Sequence, residues 1–110
     1  MTKENSITVV YTTVDNIEAA QNLSKIVLET RLAGCSNIIP GGSSMYYWQD
    51  KLECSQEVYI LFKTINEKAT MLASFIAKHH PYSLPAILSF EANALDNFHQ
   101  YLTENQKMLF

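Results

Sequence analysis

Two adjacent histidines, two cysteines and an aromatic trio are the residues of this sequence with the most chemistry to offer. His79 or His80 could supply an imidazole nitrogen to copper or zinc if a cysteine and a carboxylate joined it. Neighbours on a helix point about 100° apart, so the pair cannot readily share one metal. At a helix C-terminus the same pair would simply suit the negative end of the dipole. Cys35 and Cys54 make neither a Cys-x-x-Cys knuckle nor a disulfide framework. Two thiols in a reducing compartment are the simpler reading. Tyr46-Tyr47-Trp48 could stack on bases, or pack at a subunit boundary, where aromatic side chains are enriched. Gly41-Gly42-Ser43-Ser44 could form a backbone nest for an anion, with Lys63 adding charge, or could be a strand bulge.

Several function classes are excluded at this level. The chain has no Gly-x-Ser-x-Gly elbow, no phosphate-binding Walker loop and no dinucleotide fingerprint. Its net charge is −3 and it has no Lys/Arg run, so it lacks the electrostatic footprint of a nucleic-acid binder. The run Glu57-Val58-Tyr59-Ile60-Leu61-Phe62-Lys63 does not carry the Gly-aromatic pattern by which RNA-recognition sheets stack bases. No stretch approaches the ~18–20 apolar residues of a membrane span. The polar start Met1-Thr2-Lys3-Glu4-Asn5 leads straight into a strand-like segment with no apolar signal region, which predicts a cytoplasmic protein.

These residues must be positioned by one compact unit, because 110 residues suit a single domain, here 1–110, and no repeat or linker interrupts them. Residues 7–13 are β-branched and predict a buried strand. Asp15 with Glu18 predicts a capping box, followed by a helical face of Ala19, Ala20, Leu23, Ile26 and Val27 and a stop at Gly34. Residues 35–39 and 43–48 predict a strand broken by a bulge at Pro40-Gly41-Gly42. Gln49-Asp50-Lys51 predicts a turn, and residues 52–64 a returning strand. Pairing about that turn places Cys54 opposite Tyr46 and Cys35 near Ile65, too far apart for a disulfide. Thr64 with Glu67 predicts a second capping box, before a stripe of Ala69, Leu72, Ala73 and Ile76 that Pro81 ends. Residues 86–92 predict a fourth strand, and Asn93 a cap for a last helix carrying Leu95, Phe98 and Leu102. The order βαββαβ plus a C-terminal helix is the ferredoxin-like α+β pattern, with both main helices on one sheet face. The hairpin arms are long, and the other sheet face needs cover.

In order and spacing the sequence resembles the CutA divalent-cation-tolerance family. The resemblance runs from about Ile7 to Leu102. It rests on Val10-Tyr11-Thr12-Thr13, the run from Leu32 to Gly41, the run from Ser44 to Leu52, Glu57 with Lys63-Thr64, and His79-His80-Pro81-Tyr82 followed by Pro85. It implies a ferredoxin-like protomer, a tight homotrimer similar in architecture to PII signalling proteins, a link to divalent-metal tolerance with copper as the usual ligand, and no enzymatic activity. The family's proposed metal site uses a cysteine late in the first strand, a histidine of the His-Pro-Tyr motif and a glutamate just after the second proline. The corresponding residues here are Tyr11, His79 and Ala86, so only the histidine is kept, and Ser83 replaces the usual acid or amide after the tyrosine.

The expectation is therefore a non-catalytic homotrimer that responds to a small ligand or, weakly, to copper through His79. The alternatives are a trimeric scaffold that anchors another protein, and an undescribed enzyme working in an inter-subunit cleft. The candidate cleft residues are Tyr47, Trp48, Glu57, Lys63, His80 and Tyr82. A lined polar cleft would favour a ligand-binding role; a featureless one would favour a scaffold.

Overall fold

The computed structural model describes residues 4–107. Part of the polar N-terminal start and both extremes of the expected domain therefore lie outside the described residues. The elements are β1 (Glu4–Val14), α1 (Ile17–Glu29), β2 (Cys35–Trp48), β3 (Lys51–Thr64), α2 (Ala69–His79), β4 (Ile87–Leu95) and α3 (Asp96–Asn105), with a single 3-10 turn over Asn66–Lys68 before α2. The sheet order is β2-β3-β1-β4, and every neighbouring pair is antiparallel. This is the ferredoxin-like arrangement.

Central strand β1 earns its place through β-branched residues: Ile7, Val9, Val10 and Val14 are all buried. The helical stripes read from the sequence also hold. Ala20, Leu23 and Val27 of α1 and Leu72 and Ile76 of α2 close over Val10, Ile60 and Phe62 to form the main core. Helix α3 packs on the opposite sheet face at one end, where Leu102 and Phe98 meet Ile7, Ile65, Cys35 and Ala92. The rest of that face is uncovered, and it leaves Leu88 and Phe90 of edge strand β4 exposed.

The hairpin extends well beyond the sheet. β1 pairs β3 only from Val58 onward, whereas β2 and β3 stay paired out to Trp48 opposite Lys51. Residues 43–56 are thus a two-stranded ribbon closed by Gln49 and Asp50, both with positive φ, as a tight hairpin of right-handed twist requires. The radius of gyration is 15.1 Å, against roughly 13 Å for an ordinary domain of this length. The bulge is where the sequence placed it. Pairing shifts between Ile39 and Gly42, and Gly41 takes φ 83°. Gly42 lies under the Tyr59 ring: a Cβ there would meet two ring carbons and the hydroxyl oxygen at 2.3–2.5 Å.

Several local expectations are corrected. Asn16, not Asp15, caps α1: its Oδ1 accepts from the Ala19 N–H at 2.7 Å, while Asp15 accepts from the Asn16 amide at 2.8 Å. α1 ends at Glu29 rather than near Gly34, because Arg31 takes the left-handed turn at φ 64°. Gly34 makes room for Leu102 instead, whose Cδ2 would sit 2.7 Å from an added Cβ. Thr64 caps no helix; it is the buried end of β3 and its hydroxyl donates to the Leu32 carbonyl at 2.7 Å. β4 runs to Leu95, so Asn93 pairs with Ser6 in the ladder and caps nothing. Leu95 precedes α3 and is exposed. In the hairpin Cys54 faces Met45 and Cys35 faces Lys63, each displaced from the expected pairing because the turn has two residues and the bulge one extra. The two thiols remain far apart and free. Among the described residues no helix is long and apolar enough to cross a membrane.

Candidate functional site

The base of the ribbon, the end of β1 and the segment 82–86 enclose a cleft of about 830 Å³. Alternation along β2 and β3 sends Ser44, Tyr46, Trp48, Glu53, Ser55 and Glu57 to the same side, and β1 adds Tyr11 and Thr13. Segment 82–86 closes the far wall with Tyr82, Leu84 and Ala86. Thr12 holds this wall against β1 by donating its hydroxyl to the Ala86 carbonyl at 2.7 Å. A second depression of about 860 Å³ runs along α1 beside edge strand β2, past Lys25, Glu29 and Ser36. It is an open trough that receives none of the candidate residues.

At the cleft floor Glu57 is only 7% exposed, and its Oε2 accepts the Tyr82 hydroxyl at 3.1 Å. Burial, followed by the Glu57 charge and this hydrogen bond, pushes the Tyr82 phenol far above its ordinary range. Tyr11 shifts upward too, through burial first and then its neighbours Tyr59 and Glu57. Both phenols therefore stay protonated near neutrality. Tyr46 turns its hydroxyl onto Ser55 at 2.6 Å.

His80 stands behind Tyr82, and both of its ring nitrogens are used. Nε2 lies 2.9 Å from the Thr13 carbonyl, and Nδ1 accepts the Tyr82 backbone N–H at 3.1 Å. Only the neutral ring with its proton on Nε2 satisfies both bonds. Burial lowers its pKa, and the Thr13 bond and the Glu57 charge offset this only in part. His80 is thus a brace between β1 and the cleft wall, with no lone pair left for a metal or for base catalysis.

The structure brings Tyr47, Trp48, Glu57 and Tyr82 together in the cleft, with His80 directly behind. It does not bring Lys63, which pairs with Cys35 and lies 5.6 Å from the centre of the Phe98 ring, against α3. That also separates Lys63 from the Gly41–Ser44 bulge. His79 is exposed at the end of α2 and packs on Phe75 with ring centres 4.2 Å apart. Tyr11 and Ala86 do line the same cleft, but the histidine bonded to its walls, at Thr13 and Tyr82, is His80 rather than His79, and it is fully engaged. Among the described residues no three His, Cys, Asp or Glu side chains gather as a metal site. A phenol kept protonated, an alanine and an imidazole without a free nitrogen do not fit a copper ion. Sequence reasoning missed Asp15 in the lining. The only signal available was an acid directly after a strand, and that position was equally suited to a helix cap.

Comparison with known proteins agrees with this architecture. The family model described as CutA1 divalent ion tolerance protein matches residues 8–105. A divalent-cation tolerance protein CutA of Yersinia pestis (strain Pestoides F) is 43% identical over 84 residues, covering 76% of this chain and 70% of that protein. The crystal structure of the divalent ion tolerance protein CutA1 from Ehrlichia chaffeensis superposes with a TM-score of 0.90 at 34% identity, covering 93% of this chain and 96% of that one. A CutA from Archaeoglobus fulgidus, described as periplasmic, superposes at 0.87 with 28% identity over 92% of this chain and 99% of its own. These names speak of cation tolerance rather than of a catalysed reaction. With the fold, the hairpin and nearly the whole length in register, the chain belongs to the CutA1 divalent ion tolerance family.

Proposed function

We propose that the protein acts in divalent-cation tolerance as a non-catalytic, ligand-responsive homotrimer of the cytoplasm. The observation that carries this reading is the lined cleft without a catalytic constellation. A pure scaffold has no use for a buried Glu57 braced by Tyr82 and His80. The trimer is supported by the ribbon and the bare sheet face. Met45, Tyr47 and Leu52 are exposed on a two-stranded ribbon, which is marginal in water by itself, and among the described residues strands β2 and β4 both present free edges. A head-to-tail contact that closes after three copies would cover all of these. The two separate, free thiols suit a reducing compartment. The scaffold alternative draws on the same exposed ribbon and would use it to grip another protein.

In this reading copper binds only weakly, through exposed His79, and metal tolerance is not exerted by a tight copper site in the cleft. Two measurements test the proposal. Light scattering at micromolar concentration should report three copies; a monomer refutes the assembly. Calorimetric copper titration of wild type, His79→Ala and His80→Ala should give weak binding that only His79→Ala diminishes. Submicromolar, stoichiometric copper binding abolished by His80→Ala would refute this view of the metal.

A further inference from the structure

The cleft has a marked chemical bias. Among the described residues its walls carry three carboxylates, Asp15, Glu53 and Glu57, and no lysine, arginine or histidine. The rest of its character comes from the aromatic rings of β1, the ribbon and Tyr82. Glu57 is more than nine-tenths buried, with a single neutral hydrogen bond, from Tyr82 to Oε2. No described group donates to its other oxygen, yet that oxygen is not sealed from the cleft. A nearly buried carboxylate with one neutral donor and one oxygen still open to the cleft is a ready partner for a cation that enters it.

We propose that this cleft receives a small organic ammonium ion, held by Glu57 and enclosed by the rings of Tyr11, Tyr46, Trp48 and Tyr82. The proposal rests on the reading of the cleft as the ligand site and names the ligand's class. Aromatic faces attract alkylammonium groups through the ring quadrupole, most strongly when the ion is stripped of water. A divalent metal fits the same walls poorly. Among the described residues the three carboxylates do not gather as a metal site, the walls offer no imidazole or thiolate, and hard cations need six or more oxygen ligands. Glu57, with Asp15 and Glu53 in the same walls, gives the cleft a negative potential. That potential would hold a cation and exclude an anion. Trp48 is the only tryptophan of the chain and lines the cleft, so its emission reports occupancy directly.

The test uses the intact assembled protein, titrated with choline and with dimethylbutanol, its uncharged carbon isostere, following Trp48 fluorescence and heat. Choline should bind saturably, and the isostere at least about tenfold more weakly. Glu57→Gln keeps an oxygen for the Tyr82 hydroxyl and should weaken choline binding about tenfold or more, as loss of a charged partner does. Trp48→Leu, read by calorimetry, should also weaken it, and it keeps the test decisive if Glu57→Gln does not fold. Equal binding of choline and its isostere, or choline binding unchanged in both variants, overturns the proposal. Copper bound stoichiometrically and lost in Glu57→Gln, without choline binding, overturns the ammonium assignment but leaves the ligand cleft standing. Binding of neither, with Trp48 emission already blue-shifted and changing only when the oligomer dissociates, means that a second copy fills the cleft, and both readings fall.

Discussion

Gln106 offers the sharpest test of how this small protein is closed. It is 1% exposed and joins three segments. Its Oε1 accepts the Ile65 N–H at 3.0 Å, and its Nε2 donates to the Thr64 hydroxyl at 2.8 Å and to the Arg31 carbonyl at 3.2 Å. Lys68 Nζ donates to its backbone carbonyl. Replacing Gln106 by leucine keeps the volume and removes all three side-chain bonds. Two partners are only partly deprived: Thr64 still donates to Leu32 at 2.7 Å, and the Arg31 carbonyl still accepts Lys68 Nζ at 3.0 Å. The Ile65 N–H is left buried without an acceptor. An orphaned buried donor costs about 1–3 kcal/mol, and each replaceable bond about 0.5–1.5. Gln106→Leu should therefore lower stability by about 2–4 kcal/mol once the gain from burying leucine is allowed for. With a urea slope of about 2 kcal/mol/M, the midpoint should fall by roughly 1–2 M. The comparison must be made at one protein concentration, because any oligomer gains stability by mass action. A loss below about 0.5 kcal/mol, typical of a surface change, would refute the claim that this side chain is a structural tie.

Two further substitutions follow from equally local geometry. Gly42→Ala drives a methyl into the Tyr59 ring, which must give up its hydrogen bond to the Ser43 carbonyl at 3.0 Å and its tilted contact with Tyr11, costing about 1–3 kcal/mol. In a Tyr59→Leu background the same change should cost clearly less by denaturant unfolding; equal cost would show that the ring is not the obstacle. Because burial lowers the His80 pKa, the folded state binds fewer protons there than the unfolded chain does. The contribution of His80 to stability should be complete above about pH 6.5 and lost as pH falls from there through the lowered native value. His80→Gln should flatten that part of the stability profile, and an unchanged profile would refute the assigned tautomer.

The periodic parts of the fold were readable from the sequence because burial imposes them directly. Leu72 and Ile76 point inward for the reason that makes them a stripe, and Pro40-Gly41-Gly42 bulges because neither proline nor a glycine under a ring sustains a regular ladder. Local competition was not readable in the same way. Asp15 and Asn16 are equally good caps by type, and only the end of β1 decides that Asn16 takes the Ala19 N–H. Thr64 with Glu67 has the spacing of a capping box, but Thr64 is drawn into the core by Leu32 and Gln106. Gln106 itself looks like a solvated residue near the chain end, and nothing local marks it as buried.

The cleft shows the same division, with a functional consequence. Tyr46, Trp48 and Glu57 share it because strand alternation about a short turn fixes their side, which the sequence carries. The roles of His79 and His80 depend instead on where α2 stops. The helix ends at His79, leaving that ring on an exposed helical surface against Phe75. His80 is the first extended residue, at φ −71° and ψ 139°, so its ring swings back to β1 and reaches Thr13. Pro81 requires that extended conformation of the residue before it. One proline thus converts the second histidine from a possible ligand into a brace, and the brace sets the backbone of Tyr82, whose hydroxyl holds Glu57. Tyr11 and Ala86 line the same cleft, so the charged group at its floor stands beside a phenol and a methyl group rather than an imidazole or thiolate that would suit copper. In the proposed reading an occupant must satisfy Glu57 among phenol and indole rings, and this requirement would give the cleft its selectivity.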